Sequence, residues 1–165
     1  MTLEFETKLS VNDLYRFNIY QIYRGSQGII SILLGILAFI MSGLVFSRGQ
    51  IGYGILYVVC GIGFILYIPG SLWIRVKATM QKNEILSGVL HYTVTEKGIT
   101  VKAGEEEAEL PWDMVYKVTS TKGQILIYSN RLNAYVVPKE QIGEKAEQFR
   151  TIAQKQLPAY RFKMK

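Results

Sequence analysis

With 165 residues, the chain has room for one ordinary domain and a small addition, which excludes two large globular halves. Its net charge is +6, but residues 88–165 carry twelve Lys or Arg against nine Asp or Glu, which is not the dense basic stripe of a nucleic-acid-binding protein. The single cysteine, Cys60, excludes an intramolecular disulfide and a cysteine-based metal site. We therefore expect no nucleic-acid partner.

Residues 1–25 predict a strand followed by a helix. Apolar and polar side chains alternate from Leu3 to Leu9, as in a strand with one buried face. Ser10 and Asp13 then have the spacing of a helix-capping box, so we expect a helix from Val11 to Arg24. Aromatic and polar side chains are mixed along this helix, which suits both a segment at the membrane interface and a cover for a soluble domain.

Residues 26–74 predict a transmembrane hairpin, because Arg48 is their only charged residue. Residues 28–46 are nineteen residues without a charge, and residues 51–73 are twenty-three. At about 1.5 Å rise per residue, these runs would reach roughly 28 and 34 Å as helices, enough to cross the roughly 30 Å core of a bilayer. The connection, Ser47–Gln50, is so short that the two helices must be antiparallel neighbours.

The distribution of basic residues predicts the orientation of this hairpin. Five basic residues flank it on the side of the termini, whereas Arg48 alone lies in the connection. By the positive-inside rule, both termini are then cytoplasmic. Four of the flanking residues are also expected to contact anionic lipid headgroups, each adding on the order of 1 kcal/mol near the surface. The flanking residues are Arg16 and the four headgroup candidates Arg24, Arg75, Lys77 and Lys82.

Small residues form a stripe along one face of the first span, where they allow another helix to approach closely. The stripe consists of Gly28, Ser31, Gly35, Ala38 and Ser42. Gly54 and Gly61, on one face of the second span, offer a partner surface. The small residues have two possible roles, and both stay open: they pack the two helices of the hairpin together, or they form a dimerisation face. Neither span contains an ionisable Asp, Glu, Lys, Arg or His, which argues against a pump or transporter acting alone.

Residues 75–88 predict a helical linker that continues the second span and stops at Gly88. Residues 89–165 predict a soluble domain, because short alternating segments separated by turns indicate an antiparallel meander. The predicted strands cover residues 89–95, 99–102, 105–110, 114–119, 124–128 and 133–137. The last segment, Glu144–Leu157, is amphipathic and predicts a helix that closes one end of the sheet. Its apolar face holds Ala146, Phe149, Ile152 or Ala153, and Leu157.

The soluble domain offers few residues for catalysis or metal binding. His91 is the single histidine, so a histidine pair or a zinc site is hard to build. The acidic run Glu105–Glu107 with Glu109 could bind a hard cation, but it sits beside a glycine turn at a hairpin tip, where solvated charge is the commonest outcome. A hydrolase would have to depend on Asp113 or Glu109. We expect no catalytic residue, no cofactor and no metal.

Four basic residues are the candidate interaction site of the soluble domain. Lys117, Lys122, Arg131 and Lys139 fall in or beside its predicted loops. Together they would form a basic patch that holds an anionic lipid headgroup or an acidic segment of a partner protein. The alternative is an ordinary solvated face.

The C-terminal sequence resembles a known family. After a strand, a short helix and two spans, the segments HYTVTEKGITVK, ELPWDMVYKV, ILIYSN, AYVVPKEQI and EQFRTIAQKQL are similar to those of the YcxB-like proteins of bacteria. The C-terminal domain of that family in turn resembles bacterial pleckstrin-homology and GRAM-like modules. The resemblance implies a bacterial cell-membrane protein with a strongly bent antiparallel sheet, one capping helix and no established enzymatic activity. It also implies that Trp112 is a core or rim residue at the start of a strand, that Pro138-Lys139 mark the turn into the closing helix, and that Leu3–Leu9 completes the sheet.

The sequence as a whole predicts an α+β membrane protein. In it, a two-helix transmembrane hairpin is joined to a cytoplasmic pleckstrin-homology-like antiparallel sheet that is capped by a C-terminal helix. Our hypothesis is a membrane-anchored, non-enzymatic interaction or regulatory protein whose sheet domain binds a protein partner or anionic lipid headgroups. Its partners would be the lipid bilayer and a protein, with a second copy of itself as one option. The alternative is an accessory subunit of a membrane transport or export complex.

Overall fold

A computed structural model describes residues 2–164, so residues 1 and 165, the outer limits of the first and last predicted segments, lie outside the described residues. The chain forms two compact units. The first, which we call the helical unit, is Tyr15–Ala78. The second, the sheet unit, joins residues 2–14 to residues 79–164.

The chain begins in the sheet unit, passes through the helical unit and returns to the sheet unit. The helices are α1 (Val11–Arg24), α2 (Ser26–Ser47), α3 (Ile51–Lys82), α4 (Glu84–Ser87), α5 (Lys139–Ile142) and α6 (Lys145–Gln156). The strands are β1 (Leu3–Lys8), β2 (Val89–Val94), β3 (Gly98–Ala103), β4 (Glu106–Pro111), β5 (Lys117–Ser120), β6 (Gln124–Tyr128), β7 (Ala134–Pro138) and β8 (Phe162–Lys163).

The first sheet of the sheet unit has the order β1-β2-β3-β4, with every pair antiparallel. Along β1, buried Leu3, Phe5 and Thr7 alternate with exposed charged residues, as the two-residue period of a strand requires. Phe5 lies opposite Tyr92 of β2, and the two rings stack with their centroids 4.9 Å apart. The segment before the hairpin is therefore a strand in a sheet whose other strands come after it.

The second sheet has the order β7-β6-β5-β8. All five residues of its inner strand β6 are buried, whereas the two-residue β8 runs parallel to β5 at one edge. Helix α6 buries Phe149, Ile152 and Ala153 on one face. The Phe149 ring lies edge-on to that of Phe5, at 6.4 Å between centroids, so α6 and the N-terminal strand share one core.

The helical unit contains two helices that are long and apolar enough to cross a membrane. Only 22% of the most apolar stretch of α2 and 11% of that of α3 are buried, whereas a core helix of a soluble protein is mostly buried. Leu33 and Leu66 are 58% and 60% exposed. Such a surface needs an apolar solvent around it.

The turn between α2 and α3 is a Schellman motif. The Gln50 N–H donates to the Val45 carbonyl at 3.2 Å, and the Gly49 N–H donates to the Phe46 carbonyl at 2.9 Å. Gly49 has a φ of 74°, which a glycine adopts without the steric cost of a Cβ. The antiparallel connection is thus closed by the backbone itself.

The predicted fold class is confirmed, with two long apolar helices, an antiparallel sheet and a C-terminal helix. The predicted helical linker ends at Gly88, the C-cap of α4, but it is interrupted at Asn83, which accepts a hydrogen bond from the Leu86 N–H at 3.1 Å and starts α4. One local prediction is wrong. Trp112 is buried, but it lies in a 3₁₀ turn, Trp112–Met114, instead of at the start of a strand, because the Val115 N–H donates to the Trp112 carbonyl at 3.2 Å. Its indole N–H donates to the Thr95 carbonyl at 2.9 Å. The likeness to pleckstrin-homology modules stays a prediction.

Candidate interaction surfaces

Both connections of the sheet unit to the helical unit leave from one end of its first sheet. Strand β1 ends at Lys8, and Lys8 lies opposite Val89, the first residue of β2. The chain therefore leaves after β1 and returns before β2 at the same end of the sheet. We call this the chain-exit end.

Two of the predicted basic residues lie at the chain-exit end. The Lys8 N–H donates to Gln141 Oε1 at 2.7 Å, and Gln141 Nε2 donates to the Lys8 carbonyl at 2.9 Å, which ties α5 to the edge of β1. The Lys139 N–H, two residues before Gln141, donates to the Gly123 carbonyl at 2.9 Å. Lys122 and Lys139 are therefore close in the structure, and Lys8 lies at the same end.

The second sheet is fixed to the start of α1 at this end as well. Gln124, which is only 2% exposed, donates through Nε2 to the Asp13 carbonyl at 2.8 Å. The predicted capping box is present, because the Asp13 N–H donates to Ser10 Oγ and the Ser10 N–H donates to Asp13 Oδ2, both at 3.1 Å. Helix α1 therefore begins against the β5–β6 turn.

The other two predicted basic residues lie at the opposite end of the second sheet. Lys117 pairs with Tyr128, the last residue of β6, and Arg131 lies in the turn that follows. The four steps from residue 124 to residue 128 of β6 span roughly 13 Å at 3.3 Å per residue. The single basic patch that the sequence predicts is thus two pairs, Lys122 with Lys139 and Lys117 with Arg131, because the turns at the two ends of β6 lie far apart.

Sequence reasoning missed a group of exposed apolar side chains beside the second pair. Met114, Tyr116, Leu132 and Tyr160 are 65%, 43%, 69% and 70% exposed, and we call them the far-end cluster. Leu132 follows Arg131 in the turn Asn130-Arg131-Leu132-Asn133, where an apolar residue is unexpected. The apolar Leu132 in this otherwise polar turn is the feature of the sequence that could have indicated the far-end cluster.

Hydrogen bonds bring the segments of the far-end cluster together. The Tyr116 N–H donates to the Tyr128 carbonyl at 2.8 Å, beside the turn that carries Leu132. Arg161 Nη1 donates to the Asp113 carbonyl at 3.0 Å and to the Val115 carbonyl at 3.3 Å, which fixes the segment of Tyr160 beside residues 113–116.

The small-residue stripe of α2 faces α3 within the hairpin. A Cβ on Gly35 would lie 2.6 Å from Ile65 Cγ1 and 3.2 Å from the Gly61 carbonyl oxygen, so these backbones approach too closely for a larger residue. Ser42 Oγ donates to the Gly54 carbonyl at 2.9 Å and is 3% exposed. These residues make intramolecular contacts.

The remaining stripe residues have different neighbours. Ser31 donates to the Phe64 carbonyl on α3, and Ala38 is buried. Gly28 instead faces α1, since a Cβ there would lie 2.8 Å from Tyr23 Cδ1. The stripe therefore packs against two different helices.

The headgroup candidates follow the ends of the helices. Arg24 ends α1, donates to the Tyr20 hydroxyl at 2.6 Å and lies over its ring at 5.8 Å. Arg75, Lys77 and Lys82 are exposed on the C-terminal part of α3, beyond its charge-free run. A bilayer around residues 28–46 and 51–73 would leave all four side chains in the aqueous interface.

The titratable residues of the sheet unit do not form a metal site. Between residues 2 and 164, no three His, Cys, Asp or Glu side chains come together as metal ligands would. His91 Nδ1 lies 3.0 Å from Glu6 Oε1, and both side chains are more than half exposed. Glu107 lies opposite Lys102 on the neighbouring strand, which suits a solvated cross-strand pair.

Two hydroxyl groups are buried in the core of the sheet unit. Thr7 Oγ1 and the Tyr92 hydroxyl interact with each other, but neither makes a hydrogen bond of normal geometry within the described part of the chain. Burial raises the pKa of Tyr92 well above its ordinary value; the Thr7 side chain lowers it by less, and Tyr135 raises it slightly. Tyr92 is therefore a neutral core residue at physiological pH.

Comparison with known proteins supports the family resemblance. Residues 94–153, a little over a third of the chain, match the model of the family described as YcxB-like protein. The match runs from the end of β2 into α6 and includes all four predicted basic residues of the sheet unit. No curated protein and no solved structure matched the chain.

Proposed function

We propose that this chain, which is YcxB-like over residues 94–153, is a membrane-anchored, non-enzymatic interaction protein of the bacterial cell membrane. Helices α2 and α3 are its anchor, and its sheet unit binds a protein partner or anionic lipid headgroups. The observation that carries the proposal concerns its membrane anchor. Strand β1, which precedes the two apolar helices in the sequence, pairs with β2, which follows them.

This pairing constrains the topology. Strand β1 precedes α2 and β2 follows α3, so both flanks of the apolar hairpin must lie on the same side of a membrane to pair. Two crossings satisfy this requirement, and a single crossing does not. The excess of basic residues in the flanks over Arg48 in the connection then favours the cytoplasm for both termini.

Cysteine labelling tests the topology. In a Cys60→Ser background, single Thr2→Cys, Gln50→Cys and Lys163→Cys variants are treated with a membrane-impermeant maleimide on intact spheroplasts. We expect labelling at position 50 alone, and labelling at all three positions after lysis. Labelling of position 2 or 163 from outside would overturn the proposal.

The two basic pairs supply the test of binding. The full chain is recovered from native membranes in mild detergent, and bound protein and lipid are identified. We expect the Lys122→Gln/Lys139→Gln variant to lose anionic lipid, since that pair lies at the chain-exit end that is tethered to the membrane helices. The Lys117→Gln/Arg131→Gln variant is its matched control and should retain the lipid. Recovery of neither a defined protein nor enriched anionic lipid would refute the proposed function.

A specific observation also favours the accessory-subunit alternative. Gly63 and Gly70 of α3, seven residues apart on one face, have no atom within 4 Å of an added Cβ, so this face is open to another helix. A Gly63→Leu change should release a larger membrane partner while the hairpin stays folded. A Gly35→Leu change should disrupt the hairpin itself. If copurification survives the Gly63→Leu change, this alternative is wrong.

A further inference from the structure

We infer that the far-end cluster is a docking surface for an acidic segment of a partner protein that carries at least one large apolar side chain. The inference rests on the proposed function and names the class of partner. It depends on three properties of the cluster, namely its exposed apolar side chains, its local charge and its position in the sheet unit.

The exposed apolar side chains of the cluster are held on ordered backbone. Asn130 Oδ1 accepts hydrogen bonds from the Leu132 and Asn133 N–H groups at 2.8 and 2.7 Å, which fixes the turn that presents Leu132. Tyr116 is fixed by its backbone bond to Tyr128. A surface that is already ordered loses little conformational entropy on binding.

The local charge selects an acidic partner. The segments 113–117, 129–133 and 160–164 together contain four cations and a single carboxylate, Asp113. The Lys117 ammonium lies 4.2 Å from the centroid of the Tyr128 ring, and the Arg161 guanidinium lies 5.6 Å from that of Tyr160. Tyr, Met and Arg are enriched at protein interfaces, and Tyr and Arg are frequent among the few residues that carry most of the binding energy.

The far-end cluster and the chain-exit end lie at opposite ends of the second sheet. The cluster adjoins Tyr128, at the end of β6 away from Gln124, and Gln124 is bonded to Asp13 at the chain-exit end. The other exposed large apolar side chains of the sheet unit, Ile85 and Val89, lie beside the start of β2 instead. The far-end cluster is therefore separate from the exposed apolar side chains at the chain-exit end.

Peptide binding to the full chain in nanodiscs of zwitterionic lipid tests the inference. The probes are synthetic glutamate-rich peptides with a central leucine or tryptophan, the same peptides with that residue replaced by serine, and vesicles of anionic lipid. We expect the apolar-anchored acidic peptides to bind, with an affinity that falls as salt rises. The Leu132→Ser and Tyr160→Ala variants should each weaken binding about tenfold, the loss of one good anchor.

The matched controls separate the possible results. Leu132 and Tyr160 are mostly exposed, so their variants should keep the near-ultraviolet circular dichroism of the parent, and Lys122→Gln should leave peptide binding unchanged. Peptide binding that is insensitive to both far-end variants would overturn the inference, as would preferential binding of anionic vesicles that depends on Leu132. A partner recovered from native membranes that still binds the Leu132→Ser variant would also overturn it, while leaving the proposed function intact.

Discussion

The N-terminal strand should be essential to the sheet unit, and Phe5→Ala tests this directly. Phe5 is 5% exposed, stacks on Tyr92 at an interplanar angle of 8° and meets Phe149 edge-on. Truncating a buried phenylalanine to alanine costs about 3–5 kcal/mol, which includes the loss of aromatic pairs worth about 0.5–1.5 kcal/mol each. Since domains are typically stable by about 5–15 kcal/mol, this change should remove a large share of the stability of the sheet unit.

Hydrogen exchange of the full chain in nanodiscs measures the effect without assuming that the two units unfold together. We expect faster exchange at the β2 amides and at Phe149 in the Phe5→Ala variant. The matched control is Glu6→Ala on the same strand, because Glu6 is 65% exposed and its loss should leave exchange almost unchanged. Equal protection in the two variants would refute the conclusion that β1 is part of the core.

Three further changes probe local contacts. Ser10→Ala removes the capping oxygen of α1 and should cost about 1 kcal/mol, seen as faster exchange in its first turn; unchanged exchange would contradict the capping role. Tyr92→Phe removes a buried hydroxyl that makes no hydrogen bond of normal geometry, and it should keep or raise stability by up to about 1 kcal/mol at neutral pH. Because the folded-state pKa of Tyr92 is raised, its contribution to the stability of the folded state is fully present below the unfolded pKa of about 10 and is lost as the pH rises above that value. The midpoint of thermal unfolding should therefore fall less steeply from pH 8 to pH 11 in the variant than in the parent. Trp112→Phe removes the indole donor to the Thr95 carbonyl and should cost about 1–2 kcal/mol; an unchanged thermal midpoint would show that this bond adds nothing.

The sequence by itself determined the features that depend on neighbours along the chain. Charge-free runs of helical length define α2 and α3, the spacing of Ser10 and Asp13 defines the start of α1, and alternation defines β1. In each case the responsible interaction lies within a few residues, so a local pattern is sufficient.

Only the tertiary structure decided what these elements bring together. It placed β1 beside β2, divided the predicted basic residues between the two ends of β6, and brought the segments of Tyr116, Leu132 and Tyr160 to one end of the second sheet. Strand order and register are set by contacts between segments that are distant in sequence, and alternation alone records which face of a strand is buried but not which strand lies next to it.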